Sequence, residues 1–133
     1  MVLAWGTEDK EVRGMAKSYE DLVSEARAAT EQTDPDAVRD ALQSGEDVLI
    51  LDVREPNEWD EAHIKSAKLL PRGLLEYKAA DELPDKDARI ITHCALGGRG
   101  SLAAQTLGTM GYTNVANMDG GLKAWRERGY ETE

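Results

Sequence analysis

The sequence predicts one α/β domain with a central, mostly parallel sheet flanked by helices, and three observations carry that expectation. "DVLILDV" at 47–53 is a continuous apolar run rich in branched side chains, the pattern of a strand buried on both faces of a parallel sheet. "RIITH" at 89–93 and "TNVANM" at 113–118 supply two further short strand candidates. Between and after them lie segments of helical rhythm, and strands alternating with helices imply a layered α/β fold. A chain of 133 residues is about one domain long.

Taken in order, Val12, Met15, Tyr19, Leu22, Val23 and Ala26 recur at three- and four-residue intervals, so an amphipathic helix is expected over residues 8–30. Residues 1–33 then form an amino-terminal helical extension, free to pack on its own domain or on a partner, and 34–133 form the domain proper. A short second helix follows, with Asp34 as N-cap, Pro35 at the first helical position and Gly45 just past the end. Pro56 starts a helical turn in "REPNEWDEAHI", with Trp59 turned inward. "SAKLLP" reads as a short strand and "RGLLEYKAA" as a helix. The polar turn "LPDKDA" leads to the strand 89–93. "GSLAAQTLGTM" from Gly100 to Met110 is helical, closed by Gly111. In the last helix, "GGLKAWRERGY", Leu122 and Trp125 share one side.

Composition narrows the function. No stretch approaches the roughly 18 apolar residues of a membrane span, and the amino terminus has no basic region ahead of an apolar core, so a cytoplasmic location is expected. A formal charge of -10 argues against nucleic acid or an anionic membrane as partner. The lone cysteine precludes an internal disulfide. Neither His63 nor His93 has the companions of a metal site, so no metal or other cofactor is expected. Nothing in the sequence gives an oligomeric state.

The chemistry concentrates in "IITHCALGGRGSLAAQ". Ligands of open parallel sheets gather beyond the carboxyl ends of strands, which is where Cys94 falls. The six residues Cys94, Ala95, Leu96, Gly97, Gly98 and Arg99 join a strand directly to a helix. The two glycines permit consecutive N–H groups to turn toward one centre, forming an anion nest. A helix starting near Gly100 and the Arg99 charge would stabilise a Cys94 thiolate and lower its pKa. A buried, inert cysteine is the alternative for an isolated thiol, and the neighbours of Cys94 favour the reactive one.

The segment from Cys94 to Tyr130 resembles the active-site half of a single-domain rhodanese, a sulfurtransferase. "LILDVREPNEWDEAHIKSAKLLPRG" is similar to that family's first strand, its Asp-x-Arg-Glu segment, its His-Ile-x-x-Ala element and the Pro-Arg that follows. The likeness spans about residues 34–133 and implies a rhodanese-like fold. It also implies that Cys94 takes a sulfane sulfur from a small sulfur-containing anion or persulfide donor, such as thiosulfate or a polysulfide. The Cys94 persulfide would pass that sulfur to cyanide or a thiol acceptor, with the amides of Ala95 to Arg99 around the outer sulfur. Two other readings compete: a rhodanese-fold binding or regulatory module without catalysis, and an enzyme of the phosphatase or arsenate-reductase type. The latter needs a seven-residue Cys-to-Arg loop, one residue longer than the loop here.

Asp52 and Arg54 leave a central strand at the same sheet edge as Cys94. The resemblance gives them the task of bracing the loop and the site entrance; the alternative is structural ion pairing with Glu55 or Glu58. His63 and His93 read as structural, His93 pointing away from Cys94 by strand alternation. Glu58 stands where some two-domain rhodaneses carry a thiosulfate-gripping arginine, which disfavours thiosulfate as the physiological donor.

Overall fold

The computed structural model describes residues 14–133. Its elements are α1 Tyr19–Ala29, β1 Glu31–Thr33, α2 Pro35–Gln43, β2 Val48–Asp52, α3 Pro56–Glu61 and β3 Lys68–Leu69. After a 3-10 turn at Arg72–Leu74 come α4 Leu75–Glu82, β4 Arg89–His93, α5 Gly98–Thr109, β5 Val115–Met118 and α6 Gly121–Glu127. The five strands form one sheet in the order β1-β5-β4-β2-β3. Every pairing is parallel.

The continuous apolar runs are explained by burial on both faces. Leu51 and Ile90 face a cluster with Leu75 and Ala79 of α4, Leu83 just after it, and Ala103 and Leu107 of α5. Their neighbours Ile50 and Ile91 face the opposite layer, with Val38 of α2 and Leu122 and Trp125 of α6. Successive strand side chains point to opposite faces, so a strand sandwiched between two helical layers has no polar side to display. In register, Asp52 pairs with His93, which brings the carboxyl ends of β2 and β4 together beside Cys94.

Caps stop and start the elements where the sequence places them. Asp34 accepts a hydrogen bond from the Ala37 amide with Pro35 at the first helical position, and Gly45 and Gly111 both take positive φ. Strand 89–93 is found with the expected bounds.

The amino-terminal segment differs from expectation. Among the described residues Gly14 and Met15 are helical, the helix is broken at 16–18, and α1 starts at Tyr19, where Ser18 and Asp21 form a reciprocal capping box. Val12 lies outside the described residues. The apolar stripe is also only partly used. Val23 and Ala26 are covered, whereas Met15 (78% exposed), Tyr19 and Leu22 are open to solvent.

Whether this helix packs on its own domain is decided: α1 lies on α5, with Tyr19 and Val23 against Gly98. Arg27 is bidentate on Asp119, at 2.6 and 3.3 Å. Glu31–Thr33, counted above with the extension, pair with Ala116–Met118 as an edge strand of the sheet.

Candidate active site

β4 carries Cys94 to the sheet edge, where its side chain is 2% exposed. The loop then turns at Gly97, whose φ of +123° lies in a region that L side chains resist. That turn aims the Gly97 amide at Cys94 Sγ, 3.0 Å away. Helix α5 starts at Gly98 rather than near Gly100, so Arg99 sits inside its first turn. Thr92 Oγ1 donates to the Gly100 carbonyl at 2.8 Å, tying that turn back to β4.

The back of the loop is built by residues in which sequence reasoning saw only a helix start. The Leu122 amide donates to the Cys94 carbonyl at 2.8 Å and the Lys123 amide to the Ala95 carbonyl at 3.1 Å. Two carbonyls of the loop are thus held by the first turn of α6, while the Gly97 amide faces the sulfur. Gly121 makes the contact possible: its φ is +60°, and a Cβ there would lie 2.5 Å from the Cys94 carbonyl oxygen and 2.6 Å from Ala95 backbone atoms. The visible signal was the Gly120-Gly121 doublet. Gly121→Ala is therefore expected to cost about 1–2 kcal/mol for the left-handed backbone alone. Because the obstructing atoms are backbone, the loop must also move, and any reaction at Cys94 is expected to slow about 100-fold. Urea unfolding and steady-state rates measured on the same preparation check both.

Asp52 and Arg54 pair with each other, not with Glu55 or Glu58 side chains as one reading allowed. Arg54 Nε and Nη2 reach the two Asp52 oxygens at 2.9 and 2.7 Å. Arg54 also donates to the Ala62 carbonyl at 2.8 Å and the Glu58 carbonyl at 3.3 Å. The side chains are close in sequence and both leave the end of β2, so the fork closes locally. His93 is fully buried next to the pair. Its Nδ1 is 3.1 Å from the Cys94 carbonyl, and its Nε2 has no hydrogen-bond partner. Asp52 Oδ2 is 3.6 Å from Nε2, too far for a hydrogen bond. Burial lowers the His93 pKa more than the Asp52 charge raises it, and the fully buried ring, set against the Cys94 carbonyl, lines the wall behind the loop. His63 stacks on Trp59 with ring centroids 3.7 Å apart. Its nitrogens face the Trp59 carbonyl and Glu133, a structural role.

Arg99 has the expected position but an additional engagement. Its guanidinium is bidentate on Glu58, Nη1 to Oε1 at 2.7 Å and Nη2 to Oε2 at 3.0 Å. This pair holds the Glu58 pKa down to about 2 and raises that of Arg99. Glu58 is thus a full carboxylate throughout the neutral range. A cleft of about 570 Å³ opens beside the loop, lined by Ala95, Leu96 and Leu122 with Glu58, Arg54 and Lys123 among its charged residues. Leu96 projects into solvent at 69% exposure. Cys94 lies behind Ala95 and Leu96 and is not part of that lining.

A parallel sheet that ends in a cysteine, a short glycine loop and a helix amino terminus defines an α/β protein with a cysteine-bearing strand-to-helix loop. The chain belongs to the family of the Rhodanese-like domain, whose model matches residues 34–128. It is 34% identical over 98 residues to a sulfurtransferase of Allochromatium vinosum, covering 74% of this chain and 90% of that one. It is 33% identical over 95 residues to the "Probable adenylyltransferase/sulfurtransferase MoeZ" of Mycobacterium tuberculosis, and the match covers 71% of this chain. The chain spans only 24% of that protein and 54% of the putative sulfur carrier protein YrkF of Bacillus subtilis. Among solved structures, a Rhodopseudomonas palustris protein of unknown function, described as a possible tyrosine phosphatase, superposes with a TM-score of 0.81. It shares 30% identity and covers 89% of this chain and 96% of its own. A thiosulfate sulfurtransferase from Pseudomonas aeruginosa superposes at 0.76 with 26% identity, over 86% of this chain and 22% of its own. No helix among the described residues is long and apolar enough to cross a membrane.

Proposed function

We propose that this chain is a sulfurtransferase in which Cys94 is the covalent sulfur carrier. The observation that carries the reading is the Gly97 amide directed at Cys94 Sγ at 3.0 Å from a loop two of whose carbonyls are held by α6. With thiosulfate, the Cys94 thiolate attacks the sulfane sulfur and a new S–S bond forms. The sulfane–sulfonate bond breaks, and sulfite departs with the electron pair. Cyanide or a thiolate then attacks the outer sulfur of the persulfide, and the Cys94 thiolate returns as leaving group. Backbone amides of Ala95, Leu96, Gly97, Gly98 and Arg99 surround the outer sulfur and spread its charge. Asp52 and Arg54 hold the entrance beside it. With one cysteine in the chain, the persulfide cannot collapse to an internal disulfide and must leave to an external acceptor.

Intact mass after treatment with a sulfur donor tests the reading. One added sulfur atom, mapped to the Cys94 peptide and removed by cyanide as thiocyanate, is expected. If thiosulfate, polysulfide and an alkyl persulfide all leave the mass unchanged, the chain is a binding module of the same fold. The description of the Rhodopseudomonas relative suggests phosphatase chemistry, but four residues between Cys94 and Arg99 make a ring suited to one sulfur atom rather than a tetrahedral phosphate. Aryl phosphate hydrolysis faster than sulfur transfer would reverse that assignment.

A further inference from the structure

We propose that Glu58 is a specificity-determining residue that sets the donor class: a low-molecular-weight alkyl persulfide rather than a dianion such as thiosulfate. The inference rests on the sulfur-transfer reading above and adds the identity of the donor. Glu58 lines the cleft and holds Arg99, the cation of the sulfur loop, through both of its nitrogen–oxygen contacts.

Two of the three cations that line the cleft, Arg54 and Lys123, are likewise paired, and the third, Arg126, is exposed to solvent. Arg54 is bidentate on Asp52, and Lys123 lies 3.0 Å from Glu127. The lining contains Arg54, Lys123 and Arg126 against Glu58, Glu61 and Glu127, three charges of each sign. A dianion would lose its hydration on entering and gain no net positive charge in return. The chain's charge of -10 adds repulsion at longer range. An uncharged donor escapes both costs, and a singly charged one bears less of each. Ala95, Leu96 and Leu122 offer apolar wall for an alkyl group, and a cleft of about 570 Å³ has the size of a small-molecule site.

The step balances without an oxidant. The Cys94 thiolate attacks the outer sulfur of R–S–SH and the new S–S bond forms as the old one breaks. The electron pair departs on R–S⁻, and the proton on the transferred sulfur is released to solvent as the Cys94 persulfide ionises.

The experiment compares second-order rates of Cys94 persulfidation, read by intact mass, with two donors: thiosulfate and the persulfide of an N-acetylcysteine ester, which carries no charge beyond its terminal sulfur. The wild-type protein is expected to load from the ester persulfide about 100-fold faster. Glu58→Gln frees Arg99 and is expected to shift the ratio of the thiosulfate rate to the ester persulfide rate about tenfold toward thiosulfate. Added salt should speed thiosulfate loading of the wild type more than that of the variant. If Glu58→Gln slows both donors in parallel, or leaves their ratio unchanged, Glu58 only braces the loop and the proposal falls. The wild-type ratio serves even if the variant does not fold: equal rates with the two donors overturn the selection. Loading by neither donor instead overturns the sulfur-transfer reading itself.

Discussion

Cys94→Ser is expected to lower thiocyanate formation from thiosulfate and cyanide by at least about 10³-fold. The reaction needs an atom that attacks sulfur as an anion and leaves again as a stable one, and a serine hydroxyl does neither at a useful rate. The substitution is nearly isosteric, and the Gly97 amide that reaches Sγ at 3.0 Å can donate to a hydroxyl oxygen instead, so the fold is expected to survive. Circular dichroism and urea unfolding establish that point, and the thiocyanate assay reads the loss. The chain has no second cysteine to substitute. Undiminished activity in the serine variant would therefore remove covalent sulfur transfer from consideration.

The second large effect is on stability. Asp52→Ala is expected to destabilise the domain by about 3–5 kcal/mol, because it leaves the Arg54 guanidinium buried without its counter-charge. Asp52 is fully buried and Arg54 is 4% exposed. The carbonyls of Ala62 and Glu58 cannot replace a carboxylate. That cost is a large share of the 5–15 kcal/mol typical of a small domain. Removing both charges discriminates this cause from simple loss of packing: Asp52→Ala combined with Arg54→Met should recover much of the loss. Urea midpoints for the two single variants and the double variant supply the cycle. A single-variant cost below about 1 kcal/mol would mean the pair is solvated.

How much was legible beforehand varies with how local each cause is. Strand β4 was readable because Ile90 and Ile91 must each meet a different helical layer, so both had to be apolar. The start of α2 was readable because Asp34 and Pro35 act within one turn. β1, in contrast, is "EQT", with no apolar pattern. It exists because its backbone completes the edge of β5 and because Gln32 accepts from Asn117, which in turn donates to Ser101. The true start of α1 was signalled by Ser18 and Asp21, but the longer apolar periodicity from Val12 onward concealed it. That periodicity also overstated the buried face: Met15 and Leu22 keep the spacing of a core stripe yet stay exposed, and Tyr19 touches the domain only at Gly98 while more than half exposed.

The sequence by itself determined the parallel α/β class, the delivery of Cys94 to a strand end and the six-residue loop leading to Arg99. These follow from periodicity, β-branched content and glycine placement, which act over a few residues. Only the tertiary structure decided what surrounds that loop. Arg99 and Glu58 are 41 residues apart, and no pattern in the chain obliges them to meet. Gly121 and the amides after it reach the Cys94 and Ala95 carbonyls only because β5 lies beside β4 and hands α6 to the same edge. Arg27 finds Asp119 by the same closure. Charge and hydrogen bonding act over a few ångströms in space, so their partners were set when the sheet was assembled.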